Sequence, residues 1–219
     1  MGTEKNLLEN YPKTTRNVDE RGQQKTDKDR EVARRFGEEF FDGDRRYGYG
    51  GHSYDEKYWS PVVPTFFNEY KLRPGDEILD VGCAKGFMLA DFVKHEPGLS
   101  VRGIDISEYA ISNAHSDVAK FLEVGDAREL PFEDNTFALV VSISTLHNLE
   151  IEDCKSALRE IERVSRQYSF ITVDAYRNEE EKRRMEWWNL TALTVLQREA
   201  WVETFRSAAY TGDYYWFTP

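Results

Sequence analysis

The chain has 219 residues, enough for one compact domain with a sizeable core, and its 40% hydrophobic and 32% charged residues indicate a globular protein. Its formal net charge of -11 argues against a nucleic-acid partner, because contacts to phosphates require clustered lysines and arginines. The two cysteines, Cys83 and Cys154, lie far apart in sequence, so we expect no disulfide framework and no cysteine metal cluster, and we favour a cytoplasmic location.

The amino-terminal residues 1–28 are polar and poor in apolar periodicity, which predicts a flexible arm that is either disordered alone or pinned on a neighbouring surface. They do not show the basic and then apolar pattern of a secretory leader. The chain also has no apolar run of about eighteen residues, so we expect no membrane-spanning helix and no membrane partner.

Residues 29–73 combine a helical pattern with a loop rich in glycine and aromatic residues. Val32, Ala33, Phe36 and Phe40 have the spacing of one helix face, so one helix is expected there. The glycines of the following loop disfavour a regular element. Its rings suit either core packing or a lid over a small-molecule pocket. We favour the lid, whose aromatic residues are Tyr47, Tyr49, Tyr54, Tyr58 and Trp59.

The segment from Ile78 to Gly86 reads ILDVGCAKG and predicts a buried strand that turns into a helix. Gly82 and Gly86 bracket the turn, where the missing Cβ permits a positive φ and lets a ligand approach the main chain. Phe87 begins a helical run, so the free N–H groups of the turn point above the carboxyl end of the strand. The two glycines alone are also compatible with a turn that serves packing only.

Strand-like and helical segments alternate after this unit, as a parallel sheet requires. The predicted fold class is therefore α/β, with a doubly wound, mostly parallel sheet in three layers over residues 74–219 and the helical lid segment as an N-terminal extension. Right-handed crossovers place all strand ends at one edge of the sheet. The further strands are expected at 101–104, 121–124, 137–143, 168–173 and 214–217.

Acidic residues stand at or near the ends of the first three strands. Asp80 comes two residues before Gly82, Asp105 follows the second strand, and Asp126 follows the third. The carboxylate of Asp105 can accept hydrogen bonds from both hydroxyls of a ribose, and that of Asp126 from an adenine amino group. Each alone has a structural alternative, Asp105 as a helix-entry residue and Asp126 as a turn former. Together they predict a nucleoside-binding edge.

A nicotinamide-binding unit would share Asp105 and is the main alternative for this edge. Such a unit requires the pattern G-x-G-x-x-G, whereas this chain has Ala84 at the second glycine position and Phe87 at the third. A carboxylate inside the strand before the turn, such as Asp80, is also rare in such units. These departures disfavour a nicotinamide cofactor.

Three motifs occur in order along the chain: ILDVGCAKG at Ile78, GIDIS at Gly103 and GDARELPFEDNTFALVVS at Gly125. In this combination the chain resembles class I S-adenosylmethionine-dependent methyltransferases, particularly those that act on small molecules. The resemblance covers roughly Pro74 to Val173 and implies a Rossmann-like sheet and S-adenosylmethionine as the cofactor. Ala84 departs from the family pattern, which usually has glycine there.

The resemblance also implies roles for individual residues near the cofactor. Asp80 would lie near the methionyl amino end, Asp105 would hold the ribose, and Ile106 would lie against the adenine. The remaining predicted cofactor contacts are the turn residues Gly82, Ala84 and Gly86, the adenine-edge residues Asp126 and Ala127, and Ser142 at the end of the third motif.

The reaction implied by the resemblance is an in-line displacement, in which an acceptor atom attacks the sulfonium methyl while the protein positions and desolvates the reactants. His147, just past the fourth strand, is the first candidate for a base, and His52 on the lid segment is the second. A structural role for His147 is an equal alternative. Four histidines without a close carboxylate pairing predict no metal site.

The aromatic residues after the fifth strand fall where this fold inserts substrate-covering elements, so we assign Tyr176 and Trp188 to the substrate side. Core packing is the alternative for each residue taken singly, and the more common one. Glu179 to Ala208 has a helical pattern. The family normally ends in a hairpin of two strands, whereas only Tyr214 to Phe217 is evident here. We therefore predict a shortened sheet whose last edge is completed by a partner chain, and a monomer or homodimer.

The predicted function is methyl transfer from S-adenosylmethionine to a small polar acceptor, such as a sugar or a secondary-metabolite intermediate, with S-adenosylhomocysteine as the product. The alternative is a non-catalytic module that binds a nucleotide cofactor, or one that binds a protein partner through the aromatic loop. The two differ in whether the cavity above Gly82 has room for an acceptor.

Overall fold

The computed structural model describes residues 2–13 and 25–218, and this part of the chain folds around one seven-stranded sheet with helices on both faces. Every strand pair in this sheet is parallel. The strands are β1 (Glu77–Val81), β2 (Ser100–Asp105), β3 (Leu122–Val124), β4 (Phe137–Ile143), β5 (Ser165–Tyr176), β6 (Leu196–Gln197) and β7 (Asp213–Phe217).

The strand order explains where a ligand can bind. The strands lie in the order β3-β2-β1-β4-β5, and both β6 and β7 pair with β5. The chain runs outward from β1 to β3 and then restarts beside β1 with β4, so the winding direction changes between β1 and β4. Ligands bind at such a switch point, outside the carboxyl ends of the strands. The order confirms the predicted doubly wound α/β class.

Two cores, one on each face of the sheet, give the three-layer arrangement. Ile78 belongs to one core and Leu79 to the other, because successive side chains of a strand point to opposite faces. The helices in the described residues are α1 (Asp27–Ala33), α2 (Glu38–Phe41), α3 (Val63–Tyr70), α4 (Phe87–His95), α5 (Glu108–Ser112), α6 (Ile151–Val164), α7 (Glu179–Trp188) and α8 (Arg198–Ser207).

Aromatic and aliphatic side chains fill the two cores. Phe66 of α3 lies 5.6 Å from Phe92 of α4 and 5.5 Å from Phe170 of β5, measured between ring centroids. On the opposite face, Leu158 of α6 and Trp201 of α8 are fully buried in the other core. None of the helices that the structure describes is long and apolar enough to cross a membrane.

Two expected helices are broken, and both breaks have a local cause. The helix expected from residue 29 to residue 40 divides into α1 and α2, since Phe36 has a φ of 49° and its carbonyl accepts a hydrogen bond from the Ser107 hydroxyl instead of from a helical N–H group. The helical segment expected from Glu179 to Ala208 ends at Trp188. There the Asn189 side chain accepts hydrogen bonds from the backbone N–H groups of Thr191 and Ala192, which compete with a continued helix.

The last edge of the sheet is occupied by the chain's own beginning. The backbone N–H of Lys5 donates to the carbonyl of Tyr214 in β7, and the N–H of Tyr214 donates to the carbonyl of Thr3. At Tyr214 the chain itself therefore takes the place that we predicted for a partner chain, while the oligomeric state stays a prediction. Of the predicted flexible arm, residues 2–13 lie against the domain, where Leu7 is buried in one core, and residues 14–24 lie outside the described residues.

Candidate active site

The turn after β1 has an unusual backbone. Gly82, Ala84 and Gly86 all have positive φ values, of 85°, 50° and 75°. A Cβ at Gly82 would lie 2.1 Å from the hydroxyl oxygen of Thr145, so only glycine fits there. Ala84 adopts the left-handed region in spite of its methyl group, which costs energy and keeps the backbone N–H groups of the turn in a fixed direction.

Asp105 holds this turn against the end of β2. Its buried carboxylate accepts hydrogen bonds from the backbone N–H of Ala84, at 2.7 Å, and from that of Ser107, at 2.8 Å. Burial raises the pKa of Asp105, and these two hydrogen bonds oppose the rise. Each carboxylate oxygen retains a second lone pair. Asp105 is therefore fixed in orientation and can still accept hydrogen bonds from a ligand in the cavity.

Asp80 is a buried acid without a counter-charge. The residue is only 4% exposed, and none of the described residues donates a hydrogen bond to its carboxylate or forms an ion pair with it. Burial and the nearby charge of Asp105 raise the pKa of Asp80 to about 8. A buried carboxylate is costly unless it is paired, so this position is suited to a cationic group of a ligand.

The end of β3 offers one polar and one apolar group. Asp126 accepts hydrogen bonds from the Arg128 guanidinium, at 3.0 Å from Nε and 2.6 Å from Nη2, and this contact lowers the pKa of Asp126. Ile106, after β2, is 57% exposed although it is a large apolar residue, and it lines the same cavity as Asp126 and Ala127. An exposed apolar side chain beside a polar edge is suited to the face of a ring such as adenine.

Two predicted cofactor contacts do not reach the cavity. Ser142 is fully buried and its hydroxyl donates to the carbonyl of Val81 at 2.8 Å, so its predicted contact with a cofactor is wrong. Gly86 shapes the turn but does not form the cavity wall. Its φ of 75° favours glycine, and a Cβ there would also lie 2.6 Å from the Leu122 side chain of β3.

Lys85, inside the turn, ties the lid segment to the cofactor side of the sheet. It is 6% exposed, and its Nζ donates to the Asp42 carboxylate at 2.6 Å and to the carbonyl of His52 at 2.8 Å. The Asp42 carboxylate also accepts from the hydroxyl of Tyr109 at 2.7 Å. Burial opposes ionisation of Asp42, but the hydrogen bonds from Lys85, from the backbone N–H of His52 and from Tyr109, together with the charge of Lys85, outweigh it and bring the pKa of Asp42 to about 2. Sequence reasoning missed this pair, because Lys85 and Asp42 are distant in sequence.

His52 is held beside the turn by ring contacts. Its centroid lies 4.3 Å from that of Tyr49 and 4.8 Å from that of Phe87. Burial and the positive charge of Lys85 lower the pKa of His52 to about 4, so its imidazole is neutral at pH 7. It lines the cavity, as does His147, the first candidate for a base.

His147 is buried, and the hydrogen bond that it makes determines its tautomer. Its Nδ1 accepts from the backbone N–H of Asp174 at 3.1 Å. Burial lowers the pKa of His147, so the ring is neutral and its proton resides on Nε2. In this state Nε2–H is a donor and Nδ1 is already engaged, which favours the structural alternative over a base.

Asp174 and Asn189 form a polar group at the end of β5. The Asn189 amide donates to Oδ2 of Asp174, and Oδ1 of Asp174 lies 3.6 Å from Nδ1 of His147. Both residues line the cavity. The structure therefore places carboxylate, amide and imidazole groups together at the strand ends next to the predicted cofactor turn.

The predicted lid residues divide into two groups. Tyr49, Tyr58, Trp59 and Trp188 line the cavity. Tyr47, Tyr54 and Tyr176 do not, so their predicted place on the substrate side is wrong. The Tyr54 hydroxyl instead donates to Asp91 of α4 at 2.5 Å, and the rings of Tyr47 and Tyr176 lie under the side chains of Arg46 and Lys182.

One cavity of about 1700 Å³ joins the strand ends to the lid. Sites for a single small ligand usually measure about 300–1,000 Å³, so this cavity has room for a cofactor and an acceptor together. Sequence reasoning missed part of its wall, the segment around Leu8 and Tyr11, which carries no motif. Among the described residues, no group of three or more His, Cys, Asp and Glu side chains is placed to hold a metal ion.

Comparisons with known proteins match the central part of the chain. Residues 79–173 match the family model described as a methyltransferase domain. The sterol 24-C-methyltransferase ERG6B of Gibberella zeae is 33% identical over 127 residues, which cover 52% of this chain and 33% of that protein. The demethylmenaquinone methyltransferase of Symbiobacterium thermophilum is 38% identical over 87 residues, or 36% of this chain and 35% of that protein. The chain thus spans about a third of the length of these curated relatives.

A solved structure shares the fold over most of the chain. It comes from a complex between the Haloferax volcanii Trm112 methyltransferase activator and a methyltransferase. The two superpose with a TM-score of 0.56, at 20% sequence identity, over 90% of this chain and 77% of that one. At this identity the similarity concerns the fold alone.

Proposed function

From the premise that the chain belongs to the class I S-adenosylmethionine-dependent methyltransferases, we propose that it transfers a methyl group from S-adenosylmethionine to a small acceptor. The observation that carries this proposal is the pair of buried acids at neighbouring strand ends, Asp80 without a counter-charge and Asp105 with its orientation fixed by two N–H groups. An ammonium group suits the first, and the hydroxyls of a ribose suit the second.

S-Adenosylmethionine supplies an activated methyl group, so the chain itself need only bind, orient and exclude water. Asp80 would hold the amino end, Asp105 the ribose, and Ile106 the adenine face, while Gly82 lets the ligand approach the main chain. Both oxygens of Asp126 already accept from the backbone N–H or the guanidinium of Arg128, so an adenine amino group would share them with Arg128. Lys85 would keep the lid segment closed over these groups through Asp42 and the backbone of His52.

The acceptor would occupy the part of the cavity beyond this cofactor site. The two relatives are named for different acceptors, a sterol and demethylmenaquinone, so their names do not select one for this chain. A small acceptor with at least one polar group is supported by the polar cluster of Asp174, Asn189 and His147 on an otherwise aromatic wall.

Titration calorimetry with S-adenosylmethionine and, separately, with NAD tests the cofactor directly. We expect a saturable heat with S-adenosylmethionine and S-adenosylhomocysteine and none with NAD, because the turn lacks the glycine pattern of nicotinamide sites. Incubation of the protein with methyl-labelled cofactor and a metabolite extract then tests the transfer. Binding of NAD without binding of S-adenosylmethionine would overturn the proposal.

We expect His147 to position the end of β5 and not to remove a proton. In a His147→Asn variant the amide oxygen can replace Nδ1 as the acceptor for the Asp174 N–H, so methyl transfer should stay within about threefold of the unmodified protein. In a His147→Ala variant this buried N–H loses its partner, at a cost of about 1–3 kcal/mol. The Tm should then fall by roughly 2–4 °C per kcal/mol, as measured by thermal unfolding.

The Asn variant distinguishes the two roles of His147. A base would be lost equally in both variants, so turnover would fall a hundredfold or more in His147→Asn as well, although this variant keeps the hydrogen bond to Asp174 and its Tm. That outcome would identify His147 as the base. Cofactor affinity, measured by calorimetry, should be the same in all three proteins, because His147 lies on the β4–β5 side of the site.

A further inference from the structure

The amino-terminal segment, residues 2–13, forms one wall of the cavity. Leu8 and Tyr11 both line it, together with Pro12 and Lys13. On the opposite side the cavity reaches the strand ends at Asp80 and Asp105. A segment without a sequence motif therefore belongs to the same site as the predicted cofactor residues.

The segment is anchored firmly enough to serve as a wall. Besides its pairing with β7, the Lys5 ammonium forms ion pairs with Glu69 at 2.5 Å and with Asp213 at 2.8 Å. Leu7 is buried in one core, and its carbonyl accepts from the hydroxyl of Thr65 at 2.8 Å. These contacts fix the backbone a few residues before Tyr11, so the position of that ring is set by the domain.

Tyr11 meets two rings from the lid segment. Its centroid lies 5.4 Å from that of Tyr58, with an interplanar angle of 38°, and 5.1 Å from that of Trp59, with an angle of 66°. All three side chains are partly exposed and line the cavity. We call Tyr11, Tyr58 and Trp59 the ring cluster.

The wall on the β7 side is also aromatic. Tyr215 and Phe217 of β7 line the cavity, and so does Trp188 at the end of α7, whereas the Trp216 side chain between them is only 4% exposed and packs in one core. Rings therefore come from the amino-terminal segment, the lid, α7 and β7, which are four parts of the chain. Such walls select flat ligands, because aromatic pairs prefer offset-stacked or edge-to-face contacts.

We propose that the acceptor is a molecule with a flat, unsaturated ring system that binds against the ring cluster, with Tyr11 as a specificity-determining residue. This inference rests on the proposed function and specifies its acceptor. The polar cluster of Asp174, Asn189 and His147 would then face the substituents of the ring. A saturated skeleton of equal size would bury a similar apolar area but would lack the favourable ring-to-ring geometry.

A matched pair of probes isolates this property. 2-Naphthol and decahydro-2-naphthol share a carbon skeleton and one hydroxyl, and they differ in whether the rings are flat and unsaturated. We would measure their dissociation constants by titration calorimetry in the presence of saturating S-adenosylhomocysteine. Two aromatic contacts correspond to a preference of roughly tenfold, so 2-naphthol should bind about ten times more tightly.

Variants at one position test the ring cluster itself. Tyr11→Phe keeps the ring and should keep the preference, whereas Tyr11→Leu keeps most of the apolar volume but loses one aromatic contact, so the preference should fall to roughly threefold. Tyr168→Ala is the control, because Tyr168 is also an exposed ring, packs on Tyr70 at 5.0 Å, and does not line the cavity. It should leave the preference unchanged.

The outcomes separate this inference from the proposed function. Equal affinities of the two probes for the unmodified protein, or an undiminished preference in Tyr11→Leu, would overturn the flat-ring acceptor that Tyr11 selects. Binding of S-adenosylmethionine is measured in its own titration on each variant. A protein that binds S-adenosylmethionine but shows no ring preference would retain the proposed function, and one that fails to bind the cofactor would lose both.

Discussion

Replacing Asp105 by Ala should raise the dissociation constant for S-adenosylmethionine by about a hundredfold or more. A hydrogen bond to a charged group contributes about 1.5–3 kcal/mol, and the carboxylate would accept two from the ribose, which together amount to roughly 3–6 kcal/mol. The substitution also releases the N–H groups of Ala84 and Ser107, which now hold the turn. Titration calorimetry measures the loss of affinity. Thermal unfolding shows how much of this loss comes from a destabilised fold.

The neighbouring strand end supplies the control for this substitution. Asp126→Ala removes an acid that lines the same cavity but is already paired with Arg128 and is more exposed. We expect it to raise the dissociation constant less than tenfold. Asp105→Asn keeps an oxygen acceptor for one N–H group and should retain the fold with weakened binding. If Asp105→Ala binds within threefold of the unmodified protein, Asp105 does not hold the ribose.

The sequence predicts the sheet well because its signals are local. The apolar run before Gly82 and the acids at Asp105 and Asp126 follow from strand length and from the rule that parallel strands end at one edge. The positive φ values at Gly82 and Gly86 follow from the need for a tight turn. Each of these inferences depends on residues a few positions apart, and the structure has all of them where they were expected.

Long-range pairings account for most of what the sequence could not predict. From the sequence, Lys85 in a glycine turn would be taken for a solvent-exposed charge. In the structure its ammonium donates to Asp42 and to the His52 carbonyl. Tyr11 has no periodic neighbours, and its place in the cavity depends on the pairing of Lys5 with β7. Such contacts bring together residues that are far apart in the chain, and no spacing rule encodes them.

In a strand that is buried on both faces, the sequence does not show to which face each side chain points. β4 is apolar along nearly its whole length because both of its faces are covered, so its sequence has no alternation that tells one face from the other. Ser142 could therefore be assigned to the cavity, although its hydroxyl donates to the neighbouring strand at Val81. The sequence also did not predict that α7 ends at Trp188. The helical pattern does not show that the Asn189 side chain will accept backbone hydrogen bonds.

An Asp80→Asn substitution should weaken binding of S-adenosylmethionine and, at the same time, stabilise the cofactor-free protein above pH 5. In the folded protein the pKa of Asp80 is about 8, well above the ordinary value for an aspartate. Between these two pKa values the folded state keeps a proton that the unfolded state has lost. This contribution to stability is therefore complete below about pH 4 and is lost by roughly 1.4 kcal/mol per pH unit as the pH rises towards 8.

The neutral amide removes this pH dependence. We compare the Tm of the cofactor-free Asp80→Asn protein with that of the unmodified protein at each pH. The advantage of the variant should be larger at pH 8 than at pH 5 by at least about 5 °C, since each kcal/mol corresponds to about 2–4 °C in a domain of this size. Thermal unfolding across this pH range measures the difference. The Tyr168→Ala variant, altered far from the cavity, should follow the unmodified protein at every pH.

Proton release connects this stability effect to the cofactor. A cationic ligand favours the ionised form of Asp80, so binding at pH 7 should release close to one proton from the unmodified protein and none from Asp80→Asn. Calorimetry in two buffers with different ionisation enthalpies measures this number, and comparison with the variant cancels the cofactor's own ionisation. If both proteins release the same number of protons, Asp80 does not meet the cation. If their Tm values run parallel from pH 5 to pH 8, Asp80 is already ionised in the cofactor-free fold, because only a carboxyl that stays protonated after folding can make the two curves diverge.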